Sequence, residues 1–406
     1  MSKIRLTALA LLTSTLAATL SACGGQQMPY PNPMMNRAPM MMGMNNRAPV
    51  GFSAFGDVQA ENQLFTTHFV NAYAETIAEN EPRARQDANG PAQALLAMIN
   101  NARHTLDGAF YDMGDIQTIE ALVQAKQRGV QVRIVAESEN MLPRTDAVEA
   151  KNPQWRDTIL RLQQAGIPVR GDERSGLMHH KFMIADGQAV WMGSTNMTNS
   201  SLYNHNNNAI TIRNKQIAEN YQSEFERMFT HGIFGPQPPR QLPHPVVRVG
   251  NSTIQTFFSP RGGGQEAIMQ TLNQAQKRIS FMTFSFTDKE IANLMIQKKQ
   301  AGLRVDGVYD QCLGYGQYST YHMMRQAGIH TRMDGNEALL HHKTILADDT
   351  VITGSFNFSA NADKTNNENM LIIQNSYVTA SYYQEYDRVM TAAINNRPPK
   401  NKCPGE

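Results

Sequence analysis

Apolar positions along this chain change period repeatedly. Helical spacing runs up to Gly129 and again up to Gly302, and a short β-branched run follows each, as at residues 130–135. A glycine after a helical stretch stops the helix, so the local order reads helix, glycine stop, strand. Residues 181–184, 190–193, 279–286, 345–347 and 370–373 also carry strand patterning. Strands that alternate with helices of ten or more residues predict an α/β chain in which helices pack on a mixed β-sheet.

The pattern occurs twice. Residues 101–106 match 274–279, residues 126–132 match 299–305, residues 164–167 recur as 326–329, and residues 222–228 resemble 384–390. A proline-rich stretch at 232–239 separates the copies. The expected organisation is a first domain over 56–232, a linker over 233–250, a second domain over 251–396 and a tail over 397–406.

Composition changes the picture at the N-terminus. Lys3 and Arg5 precede a mostly apolar stretch from Leu6 to Leu20, followed by Leu20-Ser21-Ala22-Cys23. That is the order of parts in a signal peptide, expected over 1–22. It resembles the bacterial lipobox, which implies lipidation at Cys23, export, and attachment to a bacterial membrane. Gly24 is not the aspartate linked to inner-membrane retention, so the resemblance favours the outer membrane, on its periplasmic or surface face. Residues 23–55, rich in Met, Pro and Asn, cannot build a core and read as a disordered tether. Cys312 and Cys403 either pair in an oxidising compartment or stay as two thiols, and their spacing does not decide which. With 18% charged residues and a formal charge of +2, the chain lacks the basic excess usual for proteins that live on duplex DNA.

Chemistry concentrates in two matching constellations. The first half holds His179-His180-Lys181, Asp186 and then Gly193-Ser194-Thr195-Asn196; the second holds His341-His342-Lys343, Asp348 and then Gly354-Ser355-Phe356-Asn357. Residues two apart on a strand share a face, so His179 and Lys181 point together while His180 points away, and the same holds for His341, Lys343 and His342. Asp186-Gly187 and Asp348-Asp349 read as hairpin turns that return each Ser-x-Asn toward its His-Lys pair. Attack on a phosphodiester needs a nucleophile on one side of phosphorus and a proton donor on the other, roles two histidines can divide. Two lysines and two asparagine amides can hold the non-bridging oxygens, and the chemistry asks for no metal or other cofactor. Zinc fits poorly, since cysteine ligands are missing and each lysine would oppose the cation.

These residues closely resemble the phospholipase D superfamily, whose signature is His-x-Lys-x4-Asp with a downstream Gly-Ser-x-Asn, present twice or shared by a dimer. The match covers roughly residues 60–396. It implies two pseudo-symmetric α/β repeats with one active site at their interface, built by His179, Lys181, Asn196, His341, Lys343 and Asn357. It further implies a covalent phosphohistidine, with His179 taken as nucleophile and His341 as acid. Asp186 and Asp348, with Ser194 and Ser355, are expected to support the motifs. Family members commonly carry an acidic residue about eleven positions after the motif asparagine. Here the second half supplies Glu368 and the first has Asn207, so the two histidines should differ electrostatically.

A phospholipid is the expected substrate, because an anchor at Cys23 would set the site beside head groups. Nucleic acid is the alternative substrate for the same site. A transphosphatidylase or an inactive phosphate-binding surface protein ranks below both. The chain is expected to be a monomer whose repeats form an internal pseudo-dimer. The glycine-rich turn at 257–264 reads as a plain loop rather than a phosphate cradle, and Tyr309, Tyr315, Tyr318 and Tyr321 as partly buried side chains with wet hydroxyls.

Overall fold

The computed structural model describes residues 64–141, 154–236 and 241–396. The expected signal peptide, Cys23, the tether, Cys403 and the tail lie outside them, while Cys312 is disulfide-bonded.

Among the described residues, fifteen strands form two sheets. The first contains β1 (Phe65–Phe69), β2 (Thr105–Phe110), β3 (Gln131–Ala136), β4 (Val169–Gly171), β5 (Lys181–Ala185), β6 (Ala189–Gly193) and β7 (Asn208–Ile212). The second contains β8 (Val246–Val249), β9 (Ser252–Ser259), β10 (Arg278–Thr283), β11 (Arg304–Tyr309), β12 (His330–Met333), β13 (Lys343–Ala347), β14 (Thr350–Gly354) and β15 (Glu368–Gln374). Their orders are β1-β7-β6-β5-β2-β3-β4 and β12-β11-β10-β13-β14-β15-β9-β8. Read from opposite ends these are one topology, with β8 added to the second sheet. Within each, the β2-β3-β4 or β10-β11-β12 set is parallel and the remaining pairs are antiparallel, so both sheets are mixed as the patterning predicts.

Glycine stops behave as read. The helix Ile116–Gln127 ends before Gly129 at φ +92°, and Lys289–Gln300 ends before Gly302 at φ +98°, a backbone that glycine adopts without strain. The strand expected over 279–286 stops at Thr283 instead. Beyond it, Phe284 packs on His341, and Asp288 caps the next helix by accepting the Glu290 and Ile291 N–H groups.

One apolar core is shared by the two sheets. Phe182, Ile184, Val190, Met192 and Ile210 of the first meet Ile254, Leu346, Val351 and Leu371 of the second, with Tyr221 and Phe225 from the helix Lys215–Phe229 and Tyr382 and Tyr386 from Ser376–Asn395. Side-chain alternation then places Met183 and Ala185 in a separate core on the other face of β5, and Ile345 and Ala347 likewise on β13. The catalytic-motif strands are therefore buried on both faces, which fixes their register.

Each Gly-Ser-x-Asn glycine is a packing requirement. A Cβ at Gly193 would lie 2.2 Å from the Asn208 carbonyl oxygen, and one at Gly354 would lie 2.1 Å from that of Asn369. Both obstacles are backbone and cannot swing aside. We expect Gly193→Ala or Gly354→Ala to cost at least about 1–3 kcal/mol through overpacking, read as a lowered denaturation midpoint.

Candidate active site

His179 and His341 sit just ahead of β5 and β13, where loops of the two halves meet. Reciprocal backbone bonds join the loops: the His179 N–H donates to the Asn367 carbonyl at 2.9 Å and the His341 N–H to that of Asn206 at 2.8 Å. Short parallel bridges, Met178 to Asn367 and Asn206 to Leu340, extend the contact. Each motif is thus braced by the opposite repeat.

Side chains cross in the same way. The Nδ1 of His179 lies 2.7 Å from Glu368 Oε2, and the Nδ1 of His341 lies 3.0 Å from Asn207 Oδ1. The motif serines fix these partners: Ser355 Oγ donates to Glu368 at 2.6 Å and Ser194 Oγ to Asn207 Oδ1 at 2.8 Å. Asn207 Nδ2 is committed to Ser201, so its oxygen faces His341 and the ring donates its Nδ1–H. Both imidazoles are therefore tied at Nδ1 to the opposite repeat.

The next residues serve the other strand face. His180 meets Asn369 Oδ1 at 3.3 Å and Glu224 at 3.3 Å, and His342 meets Asn208 Oδ1 at 3.0 Å and Glu385 at 3.1 Å. These histidines turn into the shared core, as the two-residue period requires.

Lys181 and Lys343 are almost wholly buried, at 0% and 1% exposure. Each Nζ donates one hydrogen bond to the carbonyl of its own motif histidine, at 2.7 and 2.9 Å. An ammonium has three donors, and the described residues accept from one on each. Asn196 and Asn357 lie half-buried nearby in sequence, and their amide oxygens are buried with no hydrogen-bond partner among the described residues. Tyr111 packs edge-on against the His179 ring at 4.9 Å and Phe284 against His341 at 4.8 Å, so an aromatic wall backs each imidazole. A third imidazole, His205, lies 6.1 Å from that of His341.

Burial governs the electrostatics. It pushes His179 down to about 4, with Lys181 and Lys343 adding to the effect and Glu368 opposing it. His341 falls well below the usual value through burial and then through Lys343, His205, Lys181 and His179. Burial also lowers Lys181 to about 7 against the pull of Glu368, Asp112 and Glu137. Although burial raises Glu368, contacts with His179, Lys181 and Ser355 bring it below the usual carboxylate value. The contact joins the His179 Nδ1 to the Glu368 carboxyl, and the other ring nitrogen, Nε2, is not part of it.

Asp186 and Asp348 stand at the far ends of the hairpins and bond to none of the motif histidines. Asp186 accepts the N–H groups of Arg103, His104 and Thr105, and Asp348 those of Gln276, Lys277 and Arg278. A cavity of about 460 Å³ beside Asp186, lined also by His68, Met98 and Arg213, lies at this remote end. The four tyrosines divide: Tyr309 is buried with its hydroxyl bonded to Thr320 rather than wet, Tyr321 is buried, and Tyr315 and Tyr318 are exposed. Sequence reasoning missed Asn208, Asn369, Glu224 and Glu385 as partners of the second histidines. The two glutamates open the similar runs Glu224-Phe225-Glu226-Arg227 and Glu385-Tyr386-Asp387-Arg388, which was the available signal.

Two imidazoles held at Nδ1 and two buried lysines thus gather where the loops of the two repeats meet. Residues 95–229 and 268–390 match the family model described as cardiolipin synthase, PLD-like domain. Over 151 residues the chain is 30% identical to a phospholipase D of Rickettsia typhi, covering 37% of this chain and 74% of that protein. It is 31% identical over 135 residues to a mitochondrial cardiolipin hydrolase of Xenopus tropicalis, covering 33% of this chain and 59% of that one. The solved phosphatidylserine synthase of Haemophilus influenzae shares the fold, with a TM-score of 0.57, 13% identity, and coverage of 82% of this chain and 90% of its own. The chain belongs to the phospholipase D superfamily, as a phosphodiester hydrolase of phospholipase D type.

Proposed function

We propose that the protein hydrolyses phospholipid phosphodiesters through a covalent intermediate on His179. The observation that carries this reading is the crossed pairing, in which one half's imidazole meets a carboxylate and the other's meets an amide. As Nε2 of His179 bonds to phosphorus, the ring becomes cationic, and Glu368 stabilises that charge. His341, which takes up a proton at Nε2 when the phosphodiester anion binds beside it, delivers that proton to the departing oxygen as the phosphorus–oxygen bond to the alcohol breaks. An imidazolium facing only an amide releases its proton readily. His341 then takes a proton from water, whose oxygen attacks phosphorus, and the N–P bond breaks to free His179. Lys181, Lys343, Asn196 and Asn357 hold the non-bridging oxygens through both steps.

A lipid substrate is supported by the Rickettsia and Xenopus relatives, named for phospholipase D and cardiolipin hydrolase, and by the near-neutral charge. Lipidation at Cys23 of an exported, outer-membrane form belongs to the same proposal and rests on the Leu20–Cys23 pattern. The test is a substrate panel in EDTA with the full chain in detergent: phosphatidylcholine, cardiolipin, single-stranded DNA and RNA. We expect release of the lipid alcohol with the nucleic acids intact. Cleavage of nucleic acid alone overturns the lipid assignment and leaves the two-histidine chemistry standing.

A further inference from the structure

Behind each His-x-Lys loop lies a pair of buried carboxyl groups to which the mechanism gives no role. Glu137 follows β3 directly and Asp172 follows β4; Asp310 follows β11 and Asp334 follows β12. Their exposures are 1%, 7%, 0% and 1%. A buried carboxylate is unfavourable unless donors or cations meet it. Glu137 Oε2 accepts the Met178 N–H at 2.7 Å, and Asp310 Oδ2 accepts the Leu340 N–H at 3.0 Å. Met178 and Leu340 are the residues immediately ahead of the two motif histidines. Asp172 accepts from the Ser138 N–H and pairs with Arg174 at 3.3 Å, while Asp334 accepts from the Gln311 and Asn336 N–H groups.

We propose that these pairs position the phosphoryl-transfer site: each fixes the backbone ahead of its histidine and supplies a buried negative charge that keeps Lys181 or Lys343 protonated. This rests on the hydrolase reading above, since only phosphate binding requires charged lysines there. The residue types support a role for charge. Glutamate occupies the first half and aspartate the second, so length varies while ionisable character stays. At 207 and 368, by contrast, an amide and an acid occupy equivalent places, and there geometry alone suffices for one half.

Neighbouring carboxyls in a buried pair hold a proton between them, leaving about one negative charge. Burial raises Glu137 to about 7, with Asp172 adding to it, and Asp310 to about 6, while burial and then Asp310 raise Asp334. Lys181 also faces Glu368 from β15 and Asp112 from the segment after β2, and its ammonium lies 5.1 Å from the Tyr111 ring centre. Lys343, lowered by burial, faces Lys181, Glu368 and Asp310, and lies 4.9 Å from the Phe284 ring centre. Protonated lysine is lost as pH rises, so the pairs act on the alkaline limb of the pH profile.

The double variants Glu137→Gln/Asp172→Asn and Asp310→Asn/Asp334→Asn separate the two roles, because the amide oxygens at 137 and 310 still accept the backbone N–H while the charge of each pair is gone. We would measure kcat/KM on an aryl phosphodiester against pH with the full chain, and titrate tungstate, whose charge is constant from pH 6 to 10, by calorimetry. Each variant should move the alkaline limb, and the weakening of tungstate binding, to lower pH by about one unit. Profiles superimposable on wild type would overturn the proposal and reduce the pairs to hydrogen-bond acceptors. Should an amide variant not fold, Glu137→Asp and Asp310→Glu decide: lower kcat with an unmoved limb supports the charge role, and a moved limb sinks it. A wild type that turns over no diester defeats the hydrolase reading instead, while the tungstate titration still decides the lysines' charge.

Discussion

His341→Asn, mixed with an activated aryl phosphodiester, accumulates a phosphoryl adduct on His179 while turnover falls by about four orders of magnitude. The reason is the division of labour at the site. A good aryl leaving group departs without a proton donor, so attack by His179 Nε2 proceeds in this variant. Hydrolysis of the N–P bond needs a base to take a proton from water, and asparagine cannot serve. His179→Asn loses the same activity and forms no adduct. Intact mass measured after denaturation at neutral pH, followed by peptide mapping, reads both results. An adduct on residue 341 in the reverse experiment exchanges the two roles, and absence of any adduct in both variants excludes the covalent route.

Glu368→Gln lowers kcat by about two to four orders of magnitude, by analogy with loss of the carboxylate that orients a catalytic histidine. The amide oxygen still accepts from Ser355 and His179, so the contact to the ring survives, while the amide NH2 replaces the acceptor of Asn366. The sign of the accompanying pH effect follows from the contacts. Glu368 raises the basicity of His179, so its removal moves the acid limb of kcat/KM to lower pH. Stability responds in the other direction. The folded-state value of Glu368 lies below the ordinary one, so its stabilising contribution is present above the unfolded-state value and vanishes as pH falls through the folded one. Glu368→Gln therefore flattens the acid side of the unfolding profile, measured by urea denaturation across pH 3–6. Asn207→Glu supplies the complementary case, raising the pH at which His341 titrates as followed by histidine NMR.

Repeat, sheet layering and the paired histidines were legible because each leaves a periodic trace. Glycine stops at 129 and 302, two-residue alternation around 179–184, and the twofold occurrence of His-x-Lys needed no tertiary knowledge. Electrostatic difference between the halves was legible too, from Asn207 against Glu368. What was hidden is which histidine each of these serves, because the hydrogen bonds cross between repeats over separations that no local pattern encodes. Phe284 shows the same limit locally. Its apolar, strand-like surroundings extend β10 on paper, yet the residue leaves the sheet to pack on His341. Asp310 and Glu137 read as ordinary strand-end acids until the Leu340 and Met178 N–H groups are seen to reach them.

Crossed pairing also bears on how such a site can change. In a symmetric assembly of two identical subunits, any substitution appears on both sides of the phosphate at once. Two copies in one chain lift that restraint, and here one copy carries an amide at Asn207 where the other carries an acid at Glu368. Neither copy owns a complete catalytic centre, so drift in one is answerable to the chemistry of its sibling.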